Sequence, residues 1–310
     1  MSPRLERIAV HPVKSLDPET PDSARLTERG ALAGDREFAV VAAPADAPHD
    51  RATASVSGDG DYVNGKRTAD VHRLRSSFDL DARTLTLRVQ GEAASRTFDL
   101  GGGGDASDAV DDASDAVDDA SHAGDDASDA VDDRSELNDW LSDYFGYPVS
   151  VRREPAGGFP DDDDAPGPTV VSTATLRTVA SWFPEVDLAG ARRRFRASLE
   201  VGGVPPFWED RLYADSGEVV AFEVGDVRFE GVRPCSRCVV PTRDPDTGQP
   251  TEGFRETFLE RREATLPEWA DSDRLDHYYQ LMVNTRVPES EWGAQIAVGD
   301  EVRVVGTRPE

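Results

Sequence analysis

Residues 105–133 repeat the heptad Asp-Ala-Ser-Asp-Ala-Val-Asp in about four copies, and this segment limits what the chain can fold into. A seven-residue period invites a coiled coil. Its apolar positions, however, are mostly alanine, and its 12 aspartates meet no Arg or Lys within the repeat. Such a segment buries too little to offset its own ordering entropy. With the preceding run Gly101–Gly104 it is expected to be a disordered acidic insert, residues 101–133. The fold must then come from the residues on either side of it.

The insert does not explain the charge. Its 12 aspartates are fewer than half of the net −27 that 61 acids and 34 bases leave on the 310 residues. Only two of those bases are lysines, Lys14 and Lys66. A surface this acidic repels itself at low ionic strength. Molar salt shortens the Debye length to about 3 Å and removes most of that repulsion. The chain therefore reads as halophilic, adapted to a salty cytoplasm. It lacks the basic footprint that nucleic acid requires. There is no apolar run long enough for a membrane span. Met1–Arg7 is charged and has no hydrophobic signal core, so the expected address is cytoplasmic.

The length suggests two domains. The Pro-, Gly- and Asp-rich stretch 155–168, with Asp161–Asp164, is the natural boundary between residues 1–155 and 165–310. Arg4–His11 alternates as a strand that Pro12 ends, and Glu37–Ala42 is a buried-strand pattern. Leu74–Leu80 and Thr84–Val89 flank a hairpin turn. Ser135–Phe145 reads as a helix with Ser135 as N-cap and Gly146 as C-cap, and Ser172–Trp182 as a second. Strands are expected at Arg196–Val201, Val219–Val224, Val227–Val232 and Val302–Val305, and a helix at Glu256–Ala264. The expected class is mainly β with α (α+β), a β-rich N-terminal domain packed on a C-terminal β-barrel.

The stretch that carries chemistry is 227–250, where Arg233-Pro234-Cys235-Ser236-Arg237-Cys238 follows a strand. Pro234 is expected to force an extended or turning backbone where that strand runs into it. Neighbouring arginines favour thiolate, the form that ligates metals or attacks disulfides. Four readings compete on these residues alone. A thiol–disulfide centre would place Cys-x-x-Cys at a helix start, but Val239-Val240-Pro241 starts a helix poorly. A zinc site would need partners from His11, His49, His72, His122 and His277, no two of which have ligand spacing. One cysteine could bind an anionic metal cofactor whose charge the arginines meet. Both cysteines could also be buried and inert.

The same stretch, Arg-Pro-Cys-Ser-Arg-Cys-Val-x-Pro-Thr-x-Asp-Pro-Asp-Thr-Gly, resembles the C-terminal motif of MOSC-domain proteins, which include the mitochondrial amidoxime reducing component and bacterial relatives. Val10-His11-Pro12-Val13-Lys14-Ser15, Leu26-Thr27 with Gly30, Gly34-Asp35-Arg36, Phe195-Arg196, Pro206-Phe207-Trp208-Glu209-Asp210 and Val298-Gly299-Asp300 resemble further motifs in order. Only residues 101–133 lie outside the pattern. The resemblance implies a molybdenum cofactor (molybdopterin) between a MOSC N-terminal β-rich domain and a MOSC β-barrel. It implies Cys238 as the metal ligand and catalytic centre, and Lys14, Ser15, Arg36, Arg196, Ser198 and Ser236 as cofactor-binding residues. Ala197 and Ser198 depart from the family's Phe-Arg-Pro-Asn, and Tyr278-Tyr279-Gln280-Leu281 from its Phe-Gly-Gln-Asn. These departures leave substrate choice open.

The implied activity is reduction of a small N-hydroxylated substrate with release of water. Asp244 and Asp246 are candidates for proton delivery, though each also suits a turn. The chain lacks the four cysteines of a fused iron–sulfur domain. Electrons are therefore expected from a separate ferredoxin, flavoprotein or cytochrome. The alternative is a cofactor or sulfur carrier holding persulfide on a cysteine. Pyridoxal phosphate binding is also associated with the family, but a lysine-anchored pyridoxal domain does not fit this length and content.

Overall fold

A computed structural model describes residues 2–42, 62–101, 133–270, 275 and 277–310. The acidic insert, apart from Gly101 and Asp133, lies outside the described residues, as do His49 and His122. The first half of the chain contributes β1 (Arg4–Ile8), β2 (Ser23–Arg25), β3 (Phe38–Ala42), α1 (Asp70–Arg73), β4 (Leu74–Asp79), β5 (Thr84–Val89), β6 (Ser95–Asp99), α2 (Arg134–Phe145) and β7 (Val149–Arg153). The second half contributes β8 (Val170–Ser172), α3 (Thr173–Ser181), α4 (Leu188–Phe195), β9 (Leu199–Gly202), β10 (Glu218–Val224), β11 (Val227–Ser236), α5 (Phe254–Ala264), β12 (Gln280–Arg286), β13 (Gln295–Ala297) and β14 (Val302–Pro309). With about 21% helix and 34% strand, the protein is mainly β with α.

Seven strands form one sheet in the order β1-β9-β8-β12-β11-β10-β14. Only the β8–β9 pair is parallel. Arg4 bridges Glu301, and the Leu5 N–H donates to the Asp300 carbonyl at 2.9 Å, so the two edges meet. The sheet thus curls into a barrel filled by Ile8, Leu199, Phe222, Phe229 and Val283. A second core lies under the β4-β5-β6 meander, the β3–β7 pair and α2, and holds Phe38, Leu85, Leu87, Phe98, Leu137 and Leu141. A third sits beneath α3, α4 and α5, where Phe183 stacks on Phe254 and Phe195 packs tilted against Phe254 and Phe258.

These cores cut across the expected units 1–155 and 165–310. Leu5, Ile8, Val10, Leu26 and Leu32 pack into the barrel, whereas Val13, Leu16 and Phe38 pack into the N-terminal core. The chain crosses from one core to the other around His11–Lys14. That crossing places the first motif residues at the junction.

Several expectations need correction. Ser135 lies inside α2 rather than capping it. Asp133 holds the N-cap position, and its carboxylate accepts from the Asp99 N–H instead. Gly146 does end this helix, with φ 76. Residues 196–198 are not strand. Leu188–Phe195 forms α4, N-capped by Asp187 through the Gly190 N–H, and Arg196 is its left-handed C-cap with φ 56. At Pro234 the backbone is extended rather than turning, and the strand expected to stop at Val232 is longer. β11 runs on to Ser236, and register shifts on either side of Pro234 absorb its missing N–H.

Candidate functional site

A cavity of about 380 Å³ opens where the two cores meet. In a chain of net charge −27, nine basic and only three acidic side chains line it. Basic walls in an acidic molecule focus a positive potential on the cavity, which suits an anionic ligand.

Six of the seven expected site residues face this cavity: Lys14, Ser15, Arg36, Arg196, Ser236 and Cys238. Ser198 does not. It is buried at the start of β9, where its N–H donates to Thr169 Oγ1 at 3.1 Å and its carbonyl accepts from Ala9. Arg196 sits at a helix cap, and the chain dips into the barrel immediately after it, so the residue two positions on points inward.

Three of the six hold left-handed backbone: Ser15 at φ 77, Arg36 at φ 52 and Arg196 at φ 56. For an L-residue other than Gly this costs about 1–2 kcal/mol. Such strain concentrates where a side chain must be aimed at a ligand. Lys14 and Ser15 are the central residues of a tight turn closed by the Leu16 N–H on the Val13 carbonyl at 3.0 Å. Arg36 is fixed by its own N–H on the His11 carbonyl at 2.6 Å.

The cations differ in their partners. Lys14 Nζ lies 2.8 Å from Asp161 and donates to the Phe159 and Pro160 carbonyls at 3.0 and 3.1 Å. Burial lowers the Lys14 pKa, and Asp161 opposes that fall. Arg36 pairs with Asp35 and reaches Asp161 at 3.4 Å. Burial works against its charge, but Asp35 and Asp161 outweigh it and raise the pKa. Arg196 forms no side-chain hydrogen bond or ion pair with any described residue. Burial and then Arg36 push its pKa down to about 10, so it remains charged at pH 7. His11 is held down to about 3 by burial and then by Arg196, and stays neutral.

The cysteines are half-buried and line the cavity, and Cys235 also packs against the third core. Two arginines lock their loop to α4. Arg237 donates to Cys235 Sγ at 3.0 Å and to the Phe195 carbonyl at 3.1 Å. Arg194 is buried and donates to the Pro241 carbonyl at 2.9 Å and to Thr251 at 3.2 Å. Cys238 Sγ accepts from the Val240 N–H at 3.5 Å, and Ser236 Oγ from Gln280 at 3.2 Å. Arg196 and Cys238 are thereby held in fixed relation. No helix follows the second cysteine, only a short 3-10 turn at Val240–Thr242.

Sequence reasoning missed several contributors. Asp161 was hidden in a stretch that reads as linker. Gly158 marks it as more than that: at φ +67, a Cβ there would meet the Asp35 carbonyl oxygen at 2.3 Å. Arg192 and Arg193, beside the motif, hold Glu200 and Asp246 at 2.8 and 2.7 Å. Asp244 accepts from Thr247 and the Asp246 N–H, a turn role. Asp246 instead joins Arg75 and Arg193 across the two lobes.

The donor set fits a phosphorylated molybdenum cofactor. The unpartnered Arg196 guanidinium supplies a cation for phosphate. Sulfur is the soft ligand that such a metal takes. Among the described residues no group of three or more His, Cys, Asp or Glu could hold a metal ion by itself. Comparison with known families agrees with the geometry. Residues 2–148 match the MOSC N-terminal beta barrel domain, and residues 168–303 match the MOSC domain. No curated protein matches the chain. MOSC domains are associated with molybdenum-cofactor sulfurase-like proteins. Two matches that together span most of the sequence, over a barrel and a basic junctional cavity, show that the chain belongs to the MOSC-domain family.

Proposed function

We propose that the cavity binds molybdopterin with Cys238 as the metal's protein ligand, and that the protein reduces a small N-hydroxylated substrate. A separate ferredoxin, flavoprotein or cytochrome supplies the electrons. The observation that carries this reading is the convergence of Lys14, Arg36, Arg196 and Cys238 on one cavity from both lobes. The cofactor, when bound, supplies the two-electron oxygen-atom chemistry. The protein's part is positional. Arg196, Arg36 and Lys14 hold the phosphate, with fork-shaped guanidinium donors best suited to it. Arg237 and Arg194 fix the loop that presents Cys238. Neutral His11 adds no like charge beside Arg196.

A second reading has an observation of its own. Both thiols are reachable from the cavity, which also suits a persulfide carrier. Turnover separates the two. Protein from a cofactor-sufficient host, supplied with a reduced viologen dye, is expected to convert an amidoxime to the amidine. Cys235→Ser is expected to keep most of that rate and Cys238→Ala to lose it. Persulfide on Cys238 by mass spectrometry, without turnover, would favour the carrier instead. Loss of activity in Cys235→Ser equal to that in Cys238→Ala would point to a dithiol centre.

A further inference from the structure

We propose that Asp161 is a resident counter-anion in the cofactor's phosphate subsite, and that its carboxylate must withdraw before phosphate can be bound by Lys14. The inference rests on the reading of the cavity given above.

A lysine ammonium has three donors. In Lys14 all three are engaged by one short segment: the Phe159 carbonyl at 3.0 Å, the Pro160 carbonyl at 3.1 Å and Asp161 Oδ1 at 2.8 Å. The second oxygen of the same carboxylate lies 3.4 Å from Arg36. One carboxylate therefore bridges two of the three cations assigned to phosphate, while the third, Arg196, is unpaired among the described residues. Arg36 and Lys14 hold the Asp161 carboxyl well below the usual carboxylate range, so the bridge is charged at any working pH. Phosphate brought to Lys14 would meet this fixed negative charge on the same donors.

The segment is built to hold this position and to release it. The Phe159 N–H is tied to the Arg36 carbonyl at 2.9 Å. On the far side, Asp162 accepts from Asn284 at 2.7 Å and from Arg233 at 3.1 Å. These anchors join the two lobes, and Pro160 and Asp161 span the gap between them. The Asp161 side chain is nevertheless 57% exposed, so turning it outward buries nothing unsatisfied. Of the four consecutive aspartates it is the one that meets Lys14 and Arg36, since Asp162 and Asp164 pair with Arg233. Lys66, the second of the chain's two lysines, lines the same cavity and acts electrostatically on both Lys14 and Asp161. The subsite is therefore a cluster of cations in which Asp161 bridges Lys14 and Arg36, while Asp35 pairs with Arg36 and not with Lys14.

The test is calorimetric titration of inorganic phosphate into the cofactor-free full chain at fixed KCl. Wild type is compared with Asp161→Asn, Asp161→Ala, Asp163→Asn and Arg196→Asn, each checked for cooperative thermal unfolding. Removing the competing charge is expected to tighten phosphate about tenfold in both Asp161 variants. Asp163→Asn makes the same change in net charge and is expected to shift affinity by less than about twofold. Arg196→Asn is expected to weaken binding. If both Asp161 variants bind phosphate no better than wild type while Arg196→Asn still weakens it, the subsite stands and the competitor role of Asp161 is wrong. If no variant binds phosphate, the subsite reading fails and this proposal with it.

Discussion

Arg196 lines the cavity at the C-terminal end of α4. It stands in left-handed backbone, beside Arg36, with no partner among the described residues. Burial and Arg36 work against its charge and outweigh the attraction of Asp17, Asp161 and Asp35. Arg196→Asn keeps a residue that tolerates the backbone and removes the guanidinium. It is expected to raise the stability of the cofactor-free protein by roughly 1 kcal/mol, because a like-charge contact and its desolvation vanish. The same variant is expected to retain less pterin. Thermal unfolding checks the first half, and a fall in melting temperature would mean that Arg196 has a structural partner after all. Lys14, Arg36 and Cys238 were picked out by the resemblance of their motifs, and the structure brings all three to one cavity. Ser198 was misplaced because a motif records spacing and not the direction of a side chain after a helix cap. Asp161 was illegible because its neighbours have the composition of a linker.

Among the elements, α4 was one of those the sequence concealed. Its signals exist: Asp187 as N-cap, Ala191 and Phe195 on one buried face, and three arginines in the last turn where the helix dipole favours them. No element was expected over Leu188–Phe195, and the strand expected next to it began at Arg196. The 3-10 turn Trp208–Arg211 carries a different feature. Glu209 is fully buried and accepts from the Ser172 N–H at 3.1 Å and from Thr175 at 2.9 Å, leaving its other oxygen without a partner. Burial, and then Asp210 beside it, raise its pKa well above 4.5. The folded state thus binds this proton more tightly than the unfolded chain does. The stability it contributes is complete below about pH 4.5 and is lost as pH rises through the folded value. Melting temperature at fixed KCl is expected to fall between about pH 5 and pH 8, and to fall less in Glu209→Gln. A wild-type curve as flat as the variant's would contradict the buried, protonated carboxyl.

At the scale of the whole molecule, the lobes are joined by Asp17, Arg75, Arg193 and Asp246, with contacts of 2.8, 3.1 and 2.7 Å. These side chains are partly exposed, so Asp246→Asn is expected to cost no more than about 1 kcal/mol. The global charge matters more. Raising KCl from about 0.1 M to about 2 M screens the surface repulsion and is expected to raise the melting temperature, despite weakening these pairs. A fall on adding salt would refute the reading of the acidic surface as salt-adapted. The mainly β two-lobed class was legible because short apolar runs between Gly and Pro allow little else. The barrel's use of β1 and the pairing of β2 with β13 were not, since strands paired across the length of the chain leave no local trace. The central claim is that one cavity between the lobes holds a molybdenum cofactor through Cys238. Metal analysis with pterin fluorescence, on wild type and Cys238→Ala purified from a cofactor-sufficient host, tests it most directly. The account predicts about one molybdenum and one pterin per wild-type chain, and loss of the metal in the variant. Wild type free of both, or a variant that retains molybdenum in full, would contradict it.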